Sequence, residues 1–254
     1  MGKTAFKTLD GPIRLDDIAP LGRLGLLALA TDYNSEHDLR RMLPDGVELF
    51  TNRVTNSNPM TLDNLRAMAG DITRAAAGIL PGLGADSIIY GCTSGTAAIG
   101  ADEVARRVHA ALPGIAVTNP LDAAVAAIKA MGGKRISVLT PYVEEINREL
   151  AASFAVRGIE VLNMAGFAFD SDIEATGIPV NLLRDNAIGA AADAADVVFI
   201  SCTALRASLA LDEIEAALGK PAISSNQALA WHAMQLLGRG RPVPGYGRLL
   251  SGPI

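Results

Sequence analysis

The sequence predicts an α/β fold in two similar halves, each a parallel sheet covered by helices, related by a pseudo-two-fold axis with a cleft between them. Three observations predict it. Short apolar runs alternate with helix-like runs along the whole chain, the pattern of parallel sheets buried on both faces. The segments "SIIYGCTSG" and "VVFISCTAL" echo one another, each an apolar run, a small residue, then Cys and Thr, and they hold the only two cysteines, Cys92 and Cys202, 110 residues apart. Each half also opens on a similar strand, "RLGLLALAT" from Arg23 and "RISVLTPY" from Arg135.

The strands are predicted at 24–30, 47–52, 87–92, 115–119, 135–140, 159–164, 196–202 and 221–225. Thr61 can cap a helix running to about Ala77, with Leu62, Leu65 and Met68 at three-residue intervals. Pro141 is expected to open the helix of "VEEINRELAASFAVRG", with Gly158 as its C-cap. Pro221 opens a strand. "PLDAAVAAIKAM" and "QALAWHAMQLL" read as amphipathic helices, in which Trp231 and His232 are packing residues. The organisation is then an N-terminal extension (1–22), a first half (23–120), a second half (121–225) and a C-terminal helix and tail (226–254) that pack near the first half. Tyr246 and Arg248 of "PGYGRLL" are read as docking or subunit contacts.

The 254 residues are 50% hydrophobic, with a mean hydropathy of +0.27, enough to bury a large core. No apolar run reaches the roughly 18 residues of a membrane span. The opening "MGKTAFKTLDGP" lacks the apolar core of a secretory signal, and "MGKTAF" does not fit the myristoylation pattern, so a cytoplasmic protein is expected. A net charge of −5, with 22 Lys and Arg residues scattered along the chain, argues against nucleic acid and for a small-molecule partner. Two cysteines cannot form a multi-cysteine metal site, and His37, His109 and His232 lie far apart, so no metal is expected.

The chemistry is expected at the two Cys-Thr pairs, because ligands bind at the carboxyl ends of strands in open α/β sheets. "TSGTAAIGADEVARRV" after Cys92 places the thiol at a helix N-terminus, where free N–H groups and the helix dipole lower a thiol pKa and attract carboxylates. Thr93 and Ser94 add hydroxyls there. "SCTALRAS" repeats the arrangement with Ser201, Thr203 and Arg206. Two facing thiols would supply an acid and a base to opposite faces of a substrate. A single buried cysteine is usually core, but the repetition of the same motif around the only two cysteines argues for chemistry. "GLGADS" precedes a strand and is no dinucleotide fingerprint, and "GCTSG" has no histidine placed to activate a hydroxyl.

The matched halves, with "GCTSG" and "SCTALRA" ending equivalent strands and "PGYGRLL" near the C-terminus, resemble the aspartate/glutamate racemase superfamily, in the branch of maleate cis-trans isomerases, arylmalonate decarboxylases and racemase-like ectoine-utilisation proteins. The resemblance runs from about Arg23 to Leu250. It implies two Rossmann-like halves, a homo-oligomer (dimer or tetramer) and chemistry without metal or organic cofactor. Cys92 would be base or nucleophile and Cys202 the partner acid. A carboxylate-binding pocket would fall on Thr93, Ser94, Tyr142 and Thr203. Arylmalonate decarboxylases carry Gly where Cys92 stands, so retaining both thiols speaks against decarboxylation.

Two positions depart from the maleate isomerases: Asp32 in "ATDYNSE" and Asp172 in "DSDIEATGIP" stand where that branch has Asn, while Glu36 is kept. Acids there, unless one stays protonated, would repel a dicarboxylate and welcome an ammonium or hydroxyl group, with Asn34 available to restore an amide; alternatively both are caps of helices or turns. The expectation is an isomerase that racemises or epimerises a small, amino-acid-like carboxylate. The alternatives are maleate cis-trans isomerisation through a Cys92 adduct and a non-catalytic carboxylate-binding protein.

Overall fold

The computed structural model describes residues 4–252; the ends of the predicted extension and tail, 1–3 and 253–254, lie outside the described residues. The first half runs β1 (Gly22–Leu29), α1 (Ser35–Met42), β2 (Val47–Val54), α2 (Leu62–Ala67), α3 (Ala69–Ala77), β3 (Ser87–Tyr90), α4 (Thr93–Ile99), α5 (Ala101–His109) and β4 (Ala116–Thr118). Helix α6 (Pro120–Ala130) leads into β5 (Arg135–Tyr142), α7 (Glu144–Ala155), β6 (Glu160–Phe169), α8 (Asp172–Gly177), α9 (Val180–Ala190) and β7 (Val197–Ile200). A 3-10 turn (Ala207–Ala210), α10 (Leu211–Leu218), β8 (Ala222–Ser224), α11 (Ser225–Leu237) and α12 (Gly247–Ser251) complete the chain.

All eight predicted strands form, in two four-stranded parallel sheets of matching order, β2-β1-β3-β4 and β6-β5-β7-β8. The repeat read in the sequence is therefore a repeat of topology. In each sheet the central pair is the first strand of the half and the strand that ends at a cysteine. "SIIY" and "VVFI" are buried at every position, as strands covered on both faces require. Phe199 of β7 meets Phe154 of α7 edge to face, with ring centroids 5.5 Å apart. Removing a Leu or Ile such as Leu26, Ile88 or Ile89 from water contributes roughly 1.5–3 kcal/mol each.

Several local expectations shift. Thr61 accepts the Asn64 N–H at 3.2 Å as predicted, but the helix divides at Met68, where Asp71 donates back to the Met68 carbonyl (3.1 Å) in a tighter turn ahead of Thr73. Pro141 does not open a helix: it lies inside β5 at a register shift against β6, where a residue without an N–H costs no ladder bond, and α7 begins at Glu144. That helix ends at Ala155, and Gly158 takes φ +77 in the turn beyond. Helix α11 begins at Ser225, inside the predicted last strand, because Ser224 and Gln227 form a reciprocal capping box. It packs against α6, α1 and β3. The tail docks within the chain, with the Gly247 and Arg248 N–H groups on Asp212 (2.8 Å) and Glu215 (2.9 Å). Trp231 stacks on His232, whose Nδ1 meets the Thr118 hydroxyl at 2.8 Å. Among the described residues no helix is long and apolar enough to cross a membrane.

Candidate active site

Strand β3 ends at Tyr90, and two residues later Cys92 is the N-cap of α4. Its Sγ accepts the Gly95 N–H at 3.1 Å and lies 3.6 Å from the Ser94 hydroxyl. A Cβ on Gly95 would fall 2.9 Å from that sulfur and 2.8 Å from the Tyr90 hydroxyl, so the thiol can sit over the first turn only because residue 95 has no side chain.

The second site is not a copy of the first. Cys202 is followed by an irregular turn, and helix begins only at the 3-10 segment Ala207–Ala210. Its φ of +138 is a conformation that L residues rarely adopt. The Cys202 N–H donates to Ser225 Oγ (3.1 Å), and Sγ accepts from the Ala204 N–H (3.4 Å).

The two turns are tied to each other. The Thr203 hydroxyl donates to the Gly91 carbonyl at 3.0 Å, next to Cys92, and Ser225 Oγ lies 3.1 Å from the Thr93 hydroxyl. The Thr203 hydroxyl proton is therefore used in joining the halves, whereas Thr93 shares its bond with Ser225, in which either oxygen can donate. Asn34 is likewise committed, its amide donating to the Thr203 (3.0 Å) and Leu205 (3.2 Å) carbonyls, so it does not restore a substrate amide. Ser94 stays beside the Cys92 thiol as expected. Tyr142 is buried, and its hydroxyl, free of any hydrogen bond among the described residues, lies beside Cys202.

The acids divide in behaviour. Asp32 Oδ1 accepts the N–H groups of Asn34 (2.7 Å) and Ser35 (2.8 Å), a cap on the turn that opens α1. Asp172 caps nothing: its Oδ2 accepts from Thr31 Oγ1 (2.7 Å) and Asn56 Nδ2 (3.3 Å), both in the first half. Among the described residues no hydrogen bond reaches the other oxygen of either acid. Burial, and then the charge of Asp32, push the Asp172 carboxyl above its usual range, against the pull of Thr31 and Asn56.

The helix N-terminus does not make Cys92 acidic. Burial pushes its thiol up to about 12, the Asp172 charge adds to the rise, and the Ser94 hydroxyl and Gly95 N–H pull against it. Cys202 is pushed up by burial and then Asp172, opposed by Tyr142 and Ala204. The expectation of a lowered pKa fails because the thiols are only 3% and 5% exposed, and desolvation outweighs one or two hydrogen bonds. A cavity of about 320 Å³ lined by Tyr33, Asn34, His37, Thr176, Gly177 and Arg206 opens between the halves beside these segments.

Sequence reading missed Tyr90, whose hydroxyl is buried without a partner near Cys92, and Thr31, Asn56, Ser225 and Asn226. Ser225 and Asn226 directly follow β8, so the rule that sites gather at strand carboxyl ends applied to the last strand as well would have found them.

Fold and site together define a class: a pseudo-symmetric α/β protein with one buried thiol at the end of a central strand in each sheet. Within that class the chain belongs to the arylmalonate decarboxylase family, whose family model matches residues 50–250. It is 31% identical to the arylmalonate decarboxylase of Bordetella bronchiseptica over 54% of this chain and 59% of that protein. It is 28% identical to the maleate isomerase of Alcaligenes faecalis over 54% of this chain and 55% of that one. The chain thus spans a little over half the length of the curated relatives it matches. The crystal structure of a maleate isomerase variant from Pseudomonas putida S16 with maleate shares the fold, with a TM-score of 0.84 and 22% identity over 91% of this chain and 98% of that chain.

Proposed function

We propose that this chain inverts the α-carbon of a small amino-acid-like carboxylate by proton transfer between two thiols, with side chains alone doing the chemistry. The observation that carries the reading is the pair of buried thiols, Cys92 and Cys202, at the ends of matched central strands, beside an Asp172 carboxyl whose hydrogen bonds among the described residues all fall on one oxygen and whose charge adds to burial in raising both. A substrate ammonium between Asp172 and Asp32 would cancel that charge and bring both thiols down, leaving burial, which the Ser94 and Gly95 donors oppose at Cys92. A dianion would do the reverse.

Cys92 is the base, because Ser94 and the Gly95 N–H already hydrogen-bond its sulfur and stabilise the thiolate. The Cys92 thiolate removes the α-proton, and the electron pair moves into the substrate carboxylate as an enediolate. The first-turn N–H groups of α4 and the unpartnered Tyr142 hydroxyl are donors for that charge. Cys202 then gives its S–H proton to the opposite face, leaving a neutral Cys92 and a Cys202 thiolate, and the reverse reaction exchanges the roles.

The test is Cα proton exchange in deuterium oxide across a panel of small amino acids, including acidic and hydroxylated ones. Exchange with at least one of them, lost in Cys92→Ser and Cys202→Ser, is the expected result. No exchange with any would end the reading. A second reading, maleate cis-trans isomerisation by addition of the Cys92 thiolate to the double bond, is favoured by the similarity to the Alcaligenes faecalis maleate isomerase. Fumarate appearing from maleate would put it first, and failure of maleate to react or bind would remove it.

A further inference from the structure

We infer that Asp38 is a positioning residue that clamps the Cys202 turn in its strained backbone conformation. Asp38 lies in α1 of the first half and is 2% exposed. Burial holds its carboxyl above the usual carboxylate range against the pull of Ser208, Asn226, Arg41 and His37. Arg41 and His37 belong to its own helix, and among the described residues Asp38 forms no ion pair. A carboxylate buried without a counter-charge is costly unless its oxygens are hydrogen-bonded.

Both oxygens are used, and both reach out of α1. Oδ1 accepts from the hydroxyl of Ser208, in the 3-10 segment that follows the Cys202 turn. Oδ2 accepts from Asn226 Nδ2 at 2.9 Å, and the same amide nitrogen donates to the Thr203 carbonyl at 2.9 Å. That carbonyl also receives the Asn34 amide. The residue after Cys202 is thus held from two sides, and the segment beyond it is held by Ser208. This is where support is needed, because φ +138 at a residue with a side chain persists only if its surroundings over-determine it. Asp38 touches neither thiol in any hydrogen bond of the described residues, so it acts through the turn.

The inference rests on the reading of Cys202 as the proton donor, but its test does not depend on finding a substrate. Alkylation of the full chain by iodoacetamide, followed separately at Cys92 and Cys202 by peptide mass, measures the ratio of the two rates. In Asp38→Asn, which keeps the shape but leaves one acceptor oxygen in place of two and removes the charge, Cys202 should alkylate faster by about tenfold relative to Cys92 as the turn opens. Ser208→Ala, which removes one donor and leaves the carboxylate, should shift the ratio the same way by less, and it carries the test alone if Asp38→Asn does not fold. A merely structural loss would raise both rates together, and a ratio unchanged, or shifted toward Cys92, overturns the inference. Once a substrate is known, Asp38→Asn should lower kcat by about 10- to 100-fold with KM within about threefold. If the wild-type protein exchanges no Cα proton, the proposed function fails while the alkylation ratio still decides the role of Asp38.

Discussion

Ser225 accepts the backbone N–H of Cys202 at 3.1 Å, and the same hydroxyl meets Thr93 at 3.1 Å, so one side chain at the start of α11 joins the turn of the second thiol to the helix of the first. With the Thr203 hydroxyl on the Gly91 carbonyl, it forms a buried seam through which both halves hold the site.

Ser225→Ala should expose the importance of that seam. It leaves the Cys202 N–H buried without an acceptor, and the expected loss is about 1–3 kcal/mol of stability. Urea denaturation measures it. Thiol alkylation should rise at Cys202 in the same variant.

The pH dependence of stability should report the buried Cys92. Its folded pKa, about 12, lies above its ordinary 9.0, so the native state keeps a proton that the unfolded chain releases. The contribution is fully present below about pH 9 and is lost as pH rises toward 12, with a slope of up to about 1.4 kcal/mol per pH unit. Denaturation at pH 8.5 and 10.5 should show this fall, and Cys92→Ser should remove its share while leaving that of Cys202. A wild-type slope equal to that of the variant would mean that the thiol is not buried as described.

Replacing Gly95 should damage the first thiol site by crowding it. The Cβ of Gly95→Ala meets Met68 Cε at 2.6 Å, the Tyr90 hydroxyl at 2.8 Å and Cys92 Sγ at 2.9 Å. The expected cost is about 1–3 kcal/mol of stability from overpacking, together with an altered Cys92 alkylation rate.

The strain at Cys202 predicts an inversion of the usual order of substitutions. Glycine adopts φ +138 freely, whereas alanine keeps the Cβ clash. Cys202→Gly should therefore be more stable than Cys202→Ala by about 1 kcal/mol or more, although glycine normally costs stability in the unfolded chain. Thermal denaturation of the pair is the measurement.

The strands and the thiol pair were legible because both are written locally. An apolar run covered on both faces needs only its own side chains to be recognised, and "GCTSG" and "SCTALRA" can be matched without any contact. Pro141 was misread for the same reason: a proline before a helical pattern marks a helix start, and only the pairing of β5 with β6 shows a register shift able to accept it. One oxygen of Asp32 caps a turn, as its place before "NSE" allows, whereas Asp172 caps nothing and is bound by Thr31 and Asn56, more than 100 residues away.

By itself, then, the sequence determined two matched α/β halves and a thiol at the end of a central strand in each, because periodicity and repetition are properties of short windows. The tertiary structure alone decided that burial raises both thiols, that the Thr203 hydroxyl and the Asn34 amide donate to the scaffold, and that Ser225 and Asp38 reach the Cys202 turn. Each of these depends on desolvation, or on a hydrogen bond between residues distant in the chain, and neither exists until the chain has folded.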